Sequence, residues 1–170
     1  MTTEIVNVES GELIESNEAE LVNVDFSSEA VKTTLDLNDI DAQDDALAAM
    51  STAEGVQDKL TNLPNKDKDA GIEFTLVDFI SIPSQLPEQD AQGNPTGRML
   101  DARRTVLMSD TGEAFSTHSK PVYNQLMVVK TLRDRAGVQL RDKPVKVRLV
   151  HSLTSNKRQV IALQIVRKAK

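Results

Sequence analysis

The chain has no cysteine and no tryptophan among its 170 residues. Without thiols it can form no disulfide, no cysteine nucleophile and no cysteine-based zinc site, which suits a reducing, cytoplasmic setting. Aromatic rings are scarce, four Phe and one Tyr, and each stacked nucleobase needs its own ring, so stacking can contribute only a small share of any nucleic-acid affinity. Long apolar runs are missing too. Val160 to Leu163 falls far short of the roughly 20 residues a membrane-spanning helix needs, and Met1 to Ser10 lacks the basic and apolar regions of a secretory signal. His118 and His151 have no metal-ligand spacing around them. The acidic run Asp36, Asp39, Asp41, Asp44, Asp45 fails as an EF-hand, because a loop begun at Asp39 would need Gly where Asp44 stands and Glu where Met50 stands. It reads as helix-start chemistry rather than as a two-metal nuclease site. No phosphate-cradling glycine loop and no G-x-S-x-G occurs. These absences lead us to expect a protein that is not an enzyme and needs no cofactor or metal.

What is present is a separation of charge. The first 96 residues hold 21 acids and 4 bases, and residues 97 to 170 hold 5 acids and 16 bases, so that the net charge of −6 hides two large and opposite balances. Lys and Arg that neutralise phosphates supply most of the affinity in non-specific nucleic-acid binding, so the second half has the sign of a polyanion binder and the first half the opposite sign. The length suits one domain with an extension.

Residues 1 to 20 carry too few aliphatics to offset the entropy of ordering and read as a mobile arm. Leu21, Val22, Val24 and Phe26 suggest a short strand with Phe26 as a docking residue, and Ala46 to Leu60 a helix with a thin apolar stripe. Asn62 to Gly71 is turn chemistry. Ile72, Phe74 and Leu76 alternate, then the phase shifts at Val77 and returns by Ile80 and Ile82, which predicts a long strand with a bulge. Pro83, Pro87, Gly93, Pro95 and Gly97 make residues 83 to 100 a polar loop. Arg104 to Met108 and Glu113 to Thr117 form a hairpin around Asp110-Thr111-Gly112. Ser119 as N-cap, Pro121 in the first turn and Gly137 at the end bound a helix with Val122, Leu126 and Val129 on its apolar face. Val145, Val147 and Leu149 alternate with Lys146 and Arg148 in a fourth strand, and Gln159 to Val166, apolar on both faces, reads as a fifth, central or covered strand.

The expected fold is therefore mainly β: a five-stranded OB-like barrel over residues 61–170 with one helix between its third and fourth strands. An acidic N-terminal extension over 1–60 would add a short strand and a helix. The segment D-x-G-x-x-F-S-T-x-S-K-P-V from Asp110 to Val122, then a helix, then P-V-K-V-R-L-V from Pro144 and K-R-x-V-I-A-L-Q-I from Lys157, resembles the single-stranded DNA-binding proteins of protein-primed, short-tailed phages of Gram-positive bacteria. Asn62-Leu63-Pro64 adds to the likeness, which covers about residues 60 to 166. Thr111 is inserted where the family has Asp-Gly, and Phe115 stands where it tends to have Tyr. The resemblance implies a protein that coats displaced single strands during phage or plasmid replication, in the host cytoplasm and without sequence preference.

The cations expected to follow a phosphate backbone are Arg98, Arg103 and Arg104 around the second strand, Lys146 and Arg148 on the fourth, and Lys157 and Arg158 in the last turn. Phe115 and Tyr123 are the candidate stacking rings. A solvated strand face is the competing reading of alternating Lys and Arg, and the core that of Phe115. The acidic extension either solubilises the protein, competes with nucleic acid for the basic groove, or recruits basic replication proteins. The alternative function is a protein-interaction or virion-structural module that self-associates through its oppositely charged halves.

Overall fold

A computed structural model describes residues 25–26, 29–67 and 70–167. The expected mobile arm over residues 1 to 20 and most of the strand at Leu21 to Phe26 lie outside them. Along the chain run β1 (Lys32–Thr33), α1 (Ile40–Thr52), β2 (Glu54–Gly55), α2 (Val56–Thr61), β3 (Ile72–Gln89), β4 (Pro95–Ser109), β5 (Ala114–Thr117), α3 (Lys120–Ala136), β6 (Val145–Leu153) and β7 (Gln159–Ile165). The protein is mainly β, with one sheet ordered β2-β5-β4-β3-β6-β7 that curls into half a barrel, and β1 lies against β3. All pairings are antiparallel except that of β2 with β5. Curling brings the start of α3 against the far strand, where Ser119 Oγ donates to the carbonyl of Ile161. Among the described residues β5 and β7 are not paired with each other, and the outer edge of β5 takes β2 instead.

Alternation along the strands puts a core on each face of the sheet. Phe79, Leu107 and Phe115 face one way and meet α2 (Val56, Leu60) and α3 (Val122, Leu126, Val129). Their neighbours Ile80, Val106, Met108 and Ala114 face the other way and meet α1 through Ala46, Ala49 and Met50. This two-sided packing explains why the single helix expected over Ala46 to Leu60 is two. α1 starts earlier, capped by the Asp39 side chain on the Asp41 amide, with the acidic run at its positive end as expected for helix-start chemistry. It stops at Ala53, and the chain crosses the sheet edge as β2 before α2 serves the opposite face. Described residues of the acidic extension are thus part of the sheet and of both cores, and Phe26, Val31, Leu35 and Leu37 pack on the second core. Residues on both sides of the boundary expected at residue 60 share these cores.

The bulge is where the phase shift put it: the β3–β4 register slips between Leu76 and Asp78. α3 has its Ser119 N-cap on the Val122 amide and Gly137 in the left-handed conformation at φ 72, as the sequence predicts. The loop expected over 83 to 100 is instead a two-stranded arm, with Pro83 opposite Arg103, Leu86 opposite Leu100 and Gln89 opposite Pro95. Prolines are tolerated there because a two-stranded ribbon leaves each strand an edge without ladder bonds. Asp90 closes its tip by accepting from the Gln92 and Asn94 amides. β7, expected to be central or covered on both faces, is a terminal strand of the sheet paired with β6. Its outer face is only partly covered, at Val160 and Ala162.

One buried ion pair fastens the layers. Asp78 is 3 % exposed, accepts from Arg141 Nε at 2.7 Å and from Thr34 Oγ1 at 2.9 Å, and Arg141 also reaches Asp45 of α1 at 3.3 Å. Hydrogen bonding to Asp78 raises the Arg141 pKa above its already high ordinary value, so the guanidinium stays charged at any working pH.

Candidate nucleic-acid interface

Two clefts meet at the start of α3. The larger, about 740 Å³, is lined by Leu86 from the arm, Arg104 and Ser116 from β4 and β5, Lys120 from α3 and Arg158 from the β6–β7 turn. The smaller, about 670 Å³, is lined by Arg103 and Asp101 of β4 and by Lys120, Tyr123 and Asn124 of α3. His118, Ser119 and Lys120 belong to both. The cations of the two clefts are Arg103, Arg104, Lys120 and Arg158, against the carboxylates Asp58 and Asp101.

Arg103 and Arg104 are neighbours on β4 and so point to opposite faces. The Arg103 guanidinium is fixed edge-on: Nε donates to Ser81 Oγ at 3.0 Å, and one terminal nitrogen donates to the Ser81 carbonyl at 2.9 Å and to the Ala30 carbonyl. It lies 4.8 Å from the centre of the Tyr123 ring, a cation–π contact worth about 0.5–2 kcal/mol depending on desolvation. Arg104 is 3 % exposed and donates to the Met50 carbonyl at 2.9 Å and to Ser116 Oγ at 3.2 Å. Both arginines thus anchor segments of the acidic half through backbone oxygens, which the charge pattern did not foretell.

The other expected site residues divide. Arg158 joins the larger cleft, whereas its neighbour Lys157, at φ 61, shapes the turn and lines neither. Arg98 sits on the arm, 76 % exposed at its side chain and 3.7 Å from Glu88. Lys146 and Arg148 are not in the clefts: they flank Glu73 on β3, at 3.3 Å and 2.8 Å, because Glu73 lies directly opposite Arg148 in the ladder. Phe115 is corrected from stacking ring to core residue. It is 2 % exposed, with Phe74 at 4.7 Å between ring centres, so neither face is open to a base.

Hydrogen bonds from Arg148 and then Lys146 hold the Glu73 carboxyl below the ordinary value of 4.5. A depressed carboxylate pKa adds stability that is complete above the unfolded-state value and is lost as pH falls through the folded-state value. Glu73→Gln is therefore expected to lower stability most at neutral pH and to converge with the parent as pH falls below about 4.5, which flattens the acid limb of its stability-versus-pH curve. Urea midpoints from pH 3 to 7 (about one per pH unit) check it, and parallel curves for the two proteins would refute it.

Lys120, Asp101, Asn124 and Leu86 were not singled out from the sequence. Lys120 carried a usable signal: a cation in the first turn of a helix opposes the macrodipole, and a local misfit of this kind marks functional positions. No group of three or more metal-ligating side chains occurs among the described residues, and His151 Nε2 is 3.2 Å from Gln57 Oε1. No helix among the described residues is long and apolar enough to cross a membrane.

The architecture defines a mainly β protein with a curled sheet and a cleft at the root of a projecting arm. The sequence matches no protein-family model and no curated protein, and the fold matches no solved structure.

Proposed function

We propose that the protein is a non-enzymatic single-stranded DNA-binding protein that lays an unpaired strand across the two clefts at the start of α3. The observation that carries this reading is convergence: Leu86 of the β3–β4 arm and Arg158 of the β6–β7 turn, 72 positions apart in the sequence, line one cleft with Lys120. In an OB-like barrel the loop between the first two strands and the loop between the last two are the ones that grip oligonucleotides. The order β5-β4-β3-β6-β7, with α3 linking β5 to β6, fits such a barrel opened at its β5–β7 seam. On this reading, which draws on the resemblance to phage single-stranded DNA-binding proteins, it coats displaced strands in phage or plasmid replication in a host cytoplasm. Replication proteins would be met through the acidic extension.

The phosphate path in this proposal is short, through Lys120, Arg158 and the exposed Arg98 and Lys157, because Arg104, Lys146 and Arg148 are engaged elsewhere. Fluorescence anisotropy with labelled oligo(dT) is expected to show binding that weakens steeply with salt and exceeds that of duplex DNA of equal length. Absence of binding at low salt sinks the proposal. A second reading is self-association through oppositely charged halves, to which Leu86, Met99 and Leu100, exposed on the arm, would add apolar contact. Salt-sensitive self-association on size exclusion without oligonucleotide affinity favours it instead.

A further inference from the structure

We infer that the smaller cleft is a guanine-reading subsite for one nucleotide of the bound strand, so that binding is not indifferent to sequence. The inference rests on the single-strand reading above and names which base the site prefers.

Asp101 motivates it. It lines the cleft two residues before Arg103 on β4, so both side chains emerge on the same face of the strand. It is exposed, and its side chain makes no hydrogen bond or ion pair among the described residues. A carboxylate among phosphate-binding cations repels the backbone it is meant to hold, so on electrostatic grounds alone it is misplaced. A carboxylate only accepts hydrogen bonds, and an unpaired base presents its whole Watson–Crick edge. Guanine alone offers two adjacent donors on that edge, N1–H and the N2 amino group. Adenine, cytosine and thymine each offer one donor beside acceptors, which a carboxylate repels. The two oxygens of Asp101 therefore match guanine and mismatch the others.

The rest of the cleft supplies what a base needs beside its edge. Arg103 has Nε and one terminal nitrogen committed in the plane of the guanidinium to Ser81 and Ala30, which fixes a flat cation and leaves its faces and its other terminal nitrogen to a ligand. One face meets Tyr123 at 4.8 Å. Arginine planes and tyrosine rings are surfaces on which bases stack, and this pair is already assembled. Lys120, shared with the larger cleft, stands where the nucleotide's phosphate can be met as the strand continues toward Arg158.

The test uses the full chain and labelled oligo(dT) of about 12 nucleotides, within the range covered by one OB fold, with a single central dG, dA, dC or inosine. The dG oligonucleotide is expected to bind about fivefold to hundredfold more tightly than oligo(dT), with inosine, which keeps N1–H and lacks the amino group, in between. Asp101→Ala is expected to abolish the preference while strengthening oligo(dT) binding, since a repelling charge is gone. Tyr123 is the only tyrosine, so its ring resonances give a second readout: guanosine monophosphate shifts them at lower concentration than adenosine monophosphate. Equal affinity for all four oligonucleotides, or a guanine preference that survives in Asp101→Ala, overturns the inference and leaves the single-strand reading standing. No affinity for any oligonucleotide at low salt overturns both.

Discussion

Phe115→Ala is expected to lower the stability of the protein by about 3–5 kcal/mol, the usual cost of emptying a buried phenylalanine site. The ring is 2 % exposed and fills the space between Phe74, Leu107 and the helices α2 and α3. β5, which carries it, is four residues long and pairs with β4 and β2. Native domains are stable by only about 5–15 kcal/mol, so this one truncation removes a large fraction of the margin. Urea unfolding followed by circular dichroism checks it, with a lower midpoint and an unchanged slope as the expected result. A stacking role makes the opposite forecast: a variant as stable as the parent, with weaker oligonucleotide binding. A midpoint near that of the parent would return Phe115 to the surface.

The second large effect concerns the cleft cations. Replacing both Lys120 and Arg158 with Ala is expected to reduce oligo(dT) affinity about tenfold or more at low salt. It should also flatten the slope of log affinity against log salt by about 1.4, as two lost phosphate contacts on a single strand require. Neither substitution disturbs a core: Lys120 is exposed at the start of α3 and Arg158 in a turn. The pair Lys146→Ala and Arg148→Ala is the informative contrast. These residues flank Glu73 rather than the clefts, so their loss should leave the salt slope as it was. If the Lys146/Arg148 pair flattens the slope and the Lys120/Arg158 pair does not, the strand runs along β6 and the clefts are not the interface.

Much of the fold was legible because its signals are local. The two-residue alternation of Val145, Val147 and Leu149, the phase slip at Val77, and the Ser119 and Gly137 caps each concern neighbours within a turn or a pleat, where backbone geometry dictates the pattern. The arm at 83 to 100 is not legible in the sequence because prolines break most strands, and only the fold shows β3 and β4 pairing as a two-stranded ribbon there. The sequence of the acidic extension suggests only a short strand and one helix with a thin apolar stripe, because its aliphatics are sparse. Sparse aliphatics suffice when a sheet face already holding Ile80, Ile82 and Val106 is waiting for them.

The site was less legible than the fold. Sequence alone settled that strands near β3 to β7 and the helix α3 form, that one half is basic, and that thiol chemistry is excluded. Only the tertiary structure decided which cations are available. Arg103 is bound by a carbonyl 73 positions away, Arg104 by one 54 positions away, and Arg148 by a carboxylate 75 positions away. Hydrogen bonds and charge pairs act over a few ångströms of space, and a pattern of residue types along the chain does not encode which distant oxygen the fold brings within that reach.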